Sequence, residues 1–215
     1  MPTSSFHRRR LPHWYVEGAS YFITYTVKGA VPKAMIRKAA DAKDLIVVDG
    51  EGTCRITVKT PAFLRHLLDY LARHQDAPEM LLTNDTYALV VAQSLMWFHD
   101  QGEVRLLAFC IMGNHVHVVL DSVEHDPSNF MKRHKTFTAN EIRKLRGREG
   151  GVWQREFWDY RPRHEKALLE KIRYTLLNPV TAGLVKRISE YGFTWWNTDV
   201  VSVCGNKVEW VVSAR

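Results

Sequence analysis

An α+β fold, an antiparallel sheet with helices packed on it, is predicted by three features of the 215-residue chain. Runs rich in β-branched and aromatic residues (YFITYTV, VRLLAFCIM, HVHVVLD) alternate with segments of helical periodicity. The second and third runs are joined by Gly113-Asn114, a dipeptide suited to a tight hairpin turn. The order strand, helix, strand, strand, helix, strand, helix then places helices against an antiparallel sheet.

The elements follow in order. Residues 1–19 form a basic N-terminal arm carrying Arg8, Arg9 and Arg10 beside Trp14 and Tyr15. Tyr21–Val27 reads as the first strand. Residues of about 33–60 read as an insertion, in which LIVVDGEGTCRITV forms a small hairpin turning at Asp49-Gly50. Phe63, Leu67 and Leu71, with Leu64 and Leu68, place a helix over Pro61–Gln75. A second helix covers Asp85–Asp100, with Leu89, Ala92 and Met96 inward and Gly102 stopping it. After the two hairpin strands, Lys132–Arg146 is a basic helix and WQREFWDY is extended. Glu165–Leu177 is the last helix, closed by Asn178-Pro179 because the residue before proline avoids the helical region.

Composition bounds the function. The chain is 46% hydrophobic and 25% charged, ordinary material for one large domain with a proper core. Thirty Lys and Arg against 23 Asp and Glu give +7, which favours polyanionic partners. Three cysteines at unrelated spacings imply neither a disulfide framework nor a zinc knuckle and fit a reducing cytoplasm. The N-terminus lacks the apolar run of a secretory signal. No stretch approaches the ~18 apolar residues of a membrane span, so no membrane partner is expected.

The chemistry concentrates in IMGNHVHVVL, residues 111–120. Alternate side chains of a strand share a face, so His115 and His117 point one way and Val116 and Val118 the other, into the core. Ten histidines give about 0.5 His-x-His pairs by chance, so the pair alone decides nothing. Two imidazoles so placed can nevertheless share a divalent cation and leave positions open for a reactant. Two half-exposed sheet histidines are the plainer reading. On the last helix, Leu168, Leu169, Ile172 and Leu176 form one stripe, and Tyr174 lies opposite it with Lys171 and Asn178 a turn either way. Tyr174 is thus either a surface tyrosine or, with Asn178, a source of a nucleophilic oxygen and an oxygen ligand.

Residues 132–148 hold seven basic side chains against one acid, Glu141. Lys132, Arg133, Lys135, Arg143, Lys144 and Arg146, together with Arg8, Arg9 and Arg10, are candidate contacts to single-stranded nucleic acid: phosphates are neutralised while bases stack on neighbouring aromatics. A solvated helix face and an arm without a partner would show the same pattern.

The segments GNHVHVV, VWQREFW and YTLLNPVTAGLV resemble the single-tyrosine HUH transposases of the IS200-like superfamily, closest to the REP-associated tyrosine transposases. That family's His-hydrophobic-His strand matches His115-Val116-His117. Its tryptophan-glutamine before the fourth core strand matches Trp153-Gln154, and its nucleophile helix matches Tyr174 to Leu184. The resemblance covers about residues 6–29 and 85–197. Thr175 stands where the family has isoleucine, and DYRPR (159–163) is irregular beside it, with Tyr160 as runner-up nucleophile.

The resemblance implies a ferredoxin-like (RRM-like) sheet with helices on one face and an additional C-terminal catalytic helix. It implies cleavage and rejoining of single-stranded or hairpin-bearing DNA through a 5′-phosphotyrosine on Tyr174. Mg²⁺ or Mn²⁺ would be held by His115, His117 and Asn178, with Lys171 in support. A cytoplasmic, nucleoid-associated monomer or homodimer is expected. The alternatives are a catalytically inactive, domesticated nucleic-acid-binding protein on the same fold, or a hydrolase that uses water in place of tyrosine.

Overall fold

The structure is a computed structural model and describes residues 4–8, 12–28, 46–48, 54–56, 80–123, 125–147 and 149–211. They fall in two compact units, 1–28 with 80–215 and, separately, 29–79. In the second unit, strands β4 (Ile46–Val48) and β5 (Cys54–Ile56) pair antiparallel, Ile46 opposite Ile56. The expected turn at Asp49-Gly50 and the expected helix over Pro61–Gln75 lie outside the described residues.

In the first unit, the N-terminal segment expected as an arm forms a ribbon. Its strands β1 (Ser4–Arg8) and β2 (Pro12–Val16) pair antiparallel. The chain then runs β3 (Ala19–Thr26), α1 (Asp85–Asp100), β6 (Arg105–Ile111), β7 (His115–Val123), α2 (Pro127–Arg146) and β8 (Trp158–Tyr160). These six elements are the βαββαβ unit of a ferredoxin-like fold. Their strands lie in the order β8-β3-β7-β6, all neighbours antiparallel, so the α+β fold read from the sequence is the one found. A fifth strand, β9 (Thr194–Trp196), extends the sheet beyond β6. Helix α3 (Glu165–Thr181) and a terminal hairpin of β10 (Val201–Cys204) and β11 (Lys207–Trp210) complete the unit. Among the described residues no helix is long and apolar enough to cross a membrane.

The period-two alternation of β3 and β7 divides the core into two layers. Ile23, Tyr25, Val116, Val118 and Leu120, all buried, face α1 and α2. There the His134 ring of α2 is hydrogen-bonded to the Tyr25 hydroxyl at 2.6 Å and to Ser94 Oγ at 2.9 Å, while Trp153 Nε1 donates to Thr138. Burial holds the His134 imidazole down to about 3 and Tyr25 well above the usual phenol range, so both groups are neutral and mutually satisfied. Phe22, Val119 and Ala108 face the other way, where Ile172 and Leu176 of α3 close a second core together with Val201 and Val208 of the terminal hairpin.

Two expectations are corrected. Ala88, Val91, Leu95 and Phe98 are the buried residues of α1, whereas Leu89 is half exposed. The run ALVVAQSLMWF is apolar on more than one face, and its periodicity fits either stripe. Helix α3 does not close at Asn178-Pro179 but continues to Thr181 with Pro179 inside it. Proline costs the one hydrogen bond that its missing N–H would have made. Pro179 is buried, and the Asn178, Pro179 and Val180 carbonyls accept from Ala182, Leu184 and Gly183.

Gly113-Asn114 does make the hairpin turn between β6 and β7, closed by Met112 N–H donating to the His115 carbonyl at 2.8 Å. The glycine is required by proximity and not by a left-handed backbone: a Cβ there would lie 2.9 Å from Thr83 Cγ2, and the Gly113 carbonyl accepts from Leu82 N–H.

Candidate active site

The middle of the sheet sets the site. Thr24 of β3 lies opposite His117 of β7, and Thr26 opposite His115, so both imidazoles emerge on the face that α3 covers. Their ring centroids are 4.8 Å apart. His117 Nδ1–H donates to Thr24 Oγ1 at 2.9 Å, and His115 Nδ1–H donates to Asn114 Oδ1 at 2.7 Å. The Asn114 oxygen can only accept and the Asn178 Nδ2 faces His117 Nε2, so each ring carries its proton on Nδ1 and keeps Nε2 as an electron-pair donor. Burial pushes His117 well below the usual imidazole range, and the neighbouring His115 and Lys171 charges push the same way. It is therefore held neutral, the form that binds a cation.

Helix α3 brings the remaining groups. His164 caps it, Nδ1 accepting from Ala167 N–H, and Arg173 Nε donates to the Val208 carbonyl of β11 at 2.8 Å. The stripe of Ile172 and Leu176 seats the helix on the sheet and turns Tyr174 toward the histidines. The Tyr174 ring lies 5.2 Å from that of His117 and edge-on to Phe22, which itself stacks on His117. Because Pro179 does not unwind the helix, Asn178 stays in phase one turn on, its amide 3.1 Å from His117 Nε2. Lys171 Nζ sits 5.3 Å from the Phe22 ring centroid, 4.7 Å from Tyr160 and 6.0 Å from Tyr174.

The structure thus gathers His115, His117, Lys171, Tyr174, Asn178 and Tyr160 at one place. Tyr174 remains 42% exposed, which leaves its phenol open to a reactant arriving from solvent. The two imidazoles, with the Asn178 amide beside His117 Nε2, are nitrogen and oxygen donors of the kind that could hold a divalent cation with open positions. Among the described residues no group of three or more His, Cys, Asp and Glu side chains is placed to hold a metal. Thr24, Asn114 and Phe22 were missed by sequence reasoning. Asn114 adjoins the histidine pair in the chain, but Thr24 and Phe22 are recruited only by strand register, which no local pattern discloses.

The basic residues are distributed differently. Helix α2 packs on the opposite sheet face. Arg133 pairs with Glu103 and lies over the Phe98 ring, Lys144 pairs with Glu141, and Arg143 donates to Asn140. The Lys135 ammonium is held by the carbonyls of Gln154, Arg155 and Glu156, which fixes the segment leading into β8. Lys132 is exposed and Arg146 half-buried. Arg8 ends β1, and Arg9 and Arg10 lie outside the described residues.

Comparison with known proteins agrees with this fold. Residues 80–161 match the family model of the IS200-like transposases, a segment that contains both histidines and ends before α3. Two curated relatives carry the name of the REP-associated tyrosine transposases. A Haemophilus influenzae protein named for that group is 28% identical over 106 residues, covering 44% of this chain and 60% of the relative. The REP-associated tyrosine transposase of Escherichia coli is 29% identical over 96 residues, covering 43% and 54%. The matches span little more than half the length of these relatives. A solved REP-associated tyrosine transposase bound to a REP hairpin shares the fold, with a TM-score of 0.50 at 16% identity, over 88% of this chain and 81% of that one.

Proposed function

We propose that the protein is a transposase of the REP-associated tyrosine kind, which cleaves and rejoins single-stranded, hairpin-bearing DNA through a 5′-phosphotyrosine. The observation that carries this reading is the meeting of Tyr174 with the buried His117 and with Asn178, from an element remote in sequence. The hairpin bound by the solved relative supports hairpin DNA as the partner. The sequence relatives support the reaction class.

The residues divide the work. Tyr174 Oη attacks the scissile phosphorus. The phosphorus–Oη bond forms as the bond to the 3′ oxygen breaks, so the 5′ side stays on the enzyme and a 3′-hydroxyl departs with a proton. One phosphoester replaces another, and a 3′-hydroxyl can later reverse the step without an external energy source. Lys171, close to both Tyr174 and Tyr160, places positive charge where the phenol loses its proton and the phosphate carries its negative charge. His115 and His117, with Asn178, would hold Mg²⁺ or Mn²⁺, which when bound polarises the scissile phosphate. Thr24 and Asn114 keep the two rings in place. All these groups come from one chain, so a monomer carries a complete set. The protein acts on the nucleoid, in the cytoplasm. Lys132 and the Arg8–Arg10 cluster are candidate contacts to the duplex stem.

The test is a denaturing gel of the protein with labelled hairpin DNA and Mn²⁺. Wild type forms a covalent adduct on the 5′ side, and Tyr174→Phe binds the hairpin without forming one. An adduct that persists in Tyr174→Phe moves the nucleophile to Tyr160. Cleavage with no adduct in wild type indicates hydrolysis by water, and binding with neither product indicates a non-catalytic protein.

A further inference from the structure

Strand β8 is the edge of the sheet beside the site, and its register is informative. Trp158 lies opposite Thr24, and Tyr160 opposite Phe22. Side chains directly opposite in an antiparallel pair share a face. Both β8 rings therefore stand on the histidine face, in two cross-strand rows: His117, Thr24, Trp158 and Val119, Phe22, Tyr160. With strands ~4.8 Å apart, Trp158 is about 10 Å from His117 across the sheet. The terminal core closes over Phe22 and Val119 but leaves Trp158 36% and Tyr160 41% exposed, whereas Phe157, facing the other way, is buried. Lys171 ties this surface to the reaction centre, since its ammonium is within 6.0 Å of the ring centroids of both Tyr160 and Tyr174. The strand then continues into exposed Arg161 and Arg163.

We propose that Trp158 and Tyr160 form a stacking platform for unpaired nucleobases of single-stranded DNA next to the scissile phosphate. The argument is one of continuity and charge. Two rings at i and i+2, each more than a third exposed, stand along the edge strand, and the Lys171 ammonium beside Tyr160 and Tyr174 neutralises the phosphate that joins successive bases. A strand bound at Tyr174 has its neighbouring nucleotides within reach of this edge. Double-stranded DNA keeps its bases stacked on one another, so the platform selects unpaired substrate. This proposal rests on the transposase reading for its placement of the DNA.

The experiment uses the full chain with EDTA, so that binding is read without cleavage. Fluorescence anisotropy compares labelled oligothymidylate with an abasic oligomer of the same length and phosphate charge. Wild type prefers the base-bearing strand by on the order of tenfold. The Trp158→Ala/Tyr160→Ala double variant binds both alike, at the affinity that wild type shows for the abasic strand. Trp158→Phe/Tyr160→Phe, which keeps the rings and removes the phenol, retains the preference and controls for folding. Equal binding of the two strands by wild type, or a preference that survives in the alanine variant, overturns the platform. Covalent adduct formation is not read here, so a failure of the joining chemistry leaves this result standing and the reverse also holds.

Discussion

The amide of Asn178 lies 3.1 Å from Nε2 of His117 although 61 positions separate the two residues. The contact exists because α3 carries a proline without breaking. Had the helix ended at Asn178, the amide would have lost its phase with Tyr174. One relationship therefore couples helix length, sheet register and the chemistry of the site.

In the proposed site Asn178 turns its carbonyl oxygen to the cation. Asn178→Ala is expected to weaken Mn²⁺ binding in the absence of DNA by on the order of tenfold or more, as measured by titration with electron paramagnetic resonance detection. An unchanged affinity removes Asn178 from the site.

Thr24 orients His117 from the neighbouring strand. Thr24→Val keeps the shape and removes the acceptor, leaving a buried N–H unsatisfied at a cost of about 1–3 kcal/mol. Mn²⁺ affinity should fall about tenfold or more, and Thr24→Ser should restore it. If valine binds the ion as threonine does, the ring is held by packing alone.

His134 on the far side of the sheet sets an acid limit on stability. Its imidazole is lowered to about 3 by burial, from an ordinary value of 6.5. Between these values the unfolded chain binds one proton more than the folded one, so stability falls as pH is lowered through that window. The slope from this group is about 1.4 kcal/mol per pH unit. Buried His117, shifted in the same direction, adds to it. Urea unfolding at neutral and mildly acid pH should show a slope shallower by about one proton for His134→Gln than for wild type. Equal slopes would contradict a buried neutral His134.

Gly113 is a proximity glycine. Gly113→Ala should cost about 1–3 kcal/mol through overlap with Thr83 and Met80, read as a lowered unfolding midpoint. A neutral substitution would mean that the 80–83 turn moves aside freely.

Much of this molecule was legible in the chain, and for physical reasons. The strands of the hairpin announced themselves by β-branched composition and by Gly113-Asn114, and period two alone put His115 and His117 on one face and Val116 and Val118 on the other. Tyr174, Lys171 and Asn178 could be placed together from the helical wheel. What stayed hidden depends on contacts between distant segments. Thr24 meets His117 only through strand pairing, and Trp158 and Tyr160 reach the site face only through the register of β8. The inward face of α1 was misread because leucine, valine and methionine surround that helix. Pro179 was read as a stop because local sterics disfavour a proline there, and the buried packing and carbonyl contacts of the last turn outweigh that cost.

Peptide mapping of the protein–DNA adduct tests the central claim most directly. After nuclease and protease digestion, mass spectrometry should find a nucleotide phosphate on the peptide that carries Tyr174. A modification found on the peptide with Tyr160, or on no tyrosine while the DNA is cut, would contradict it.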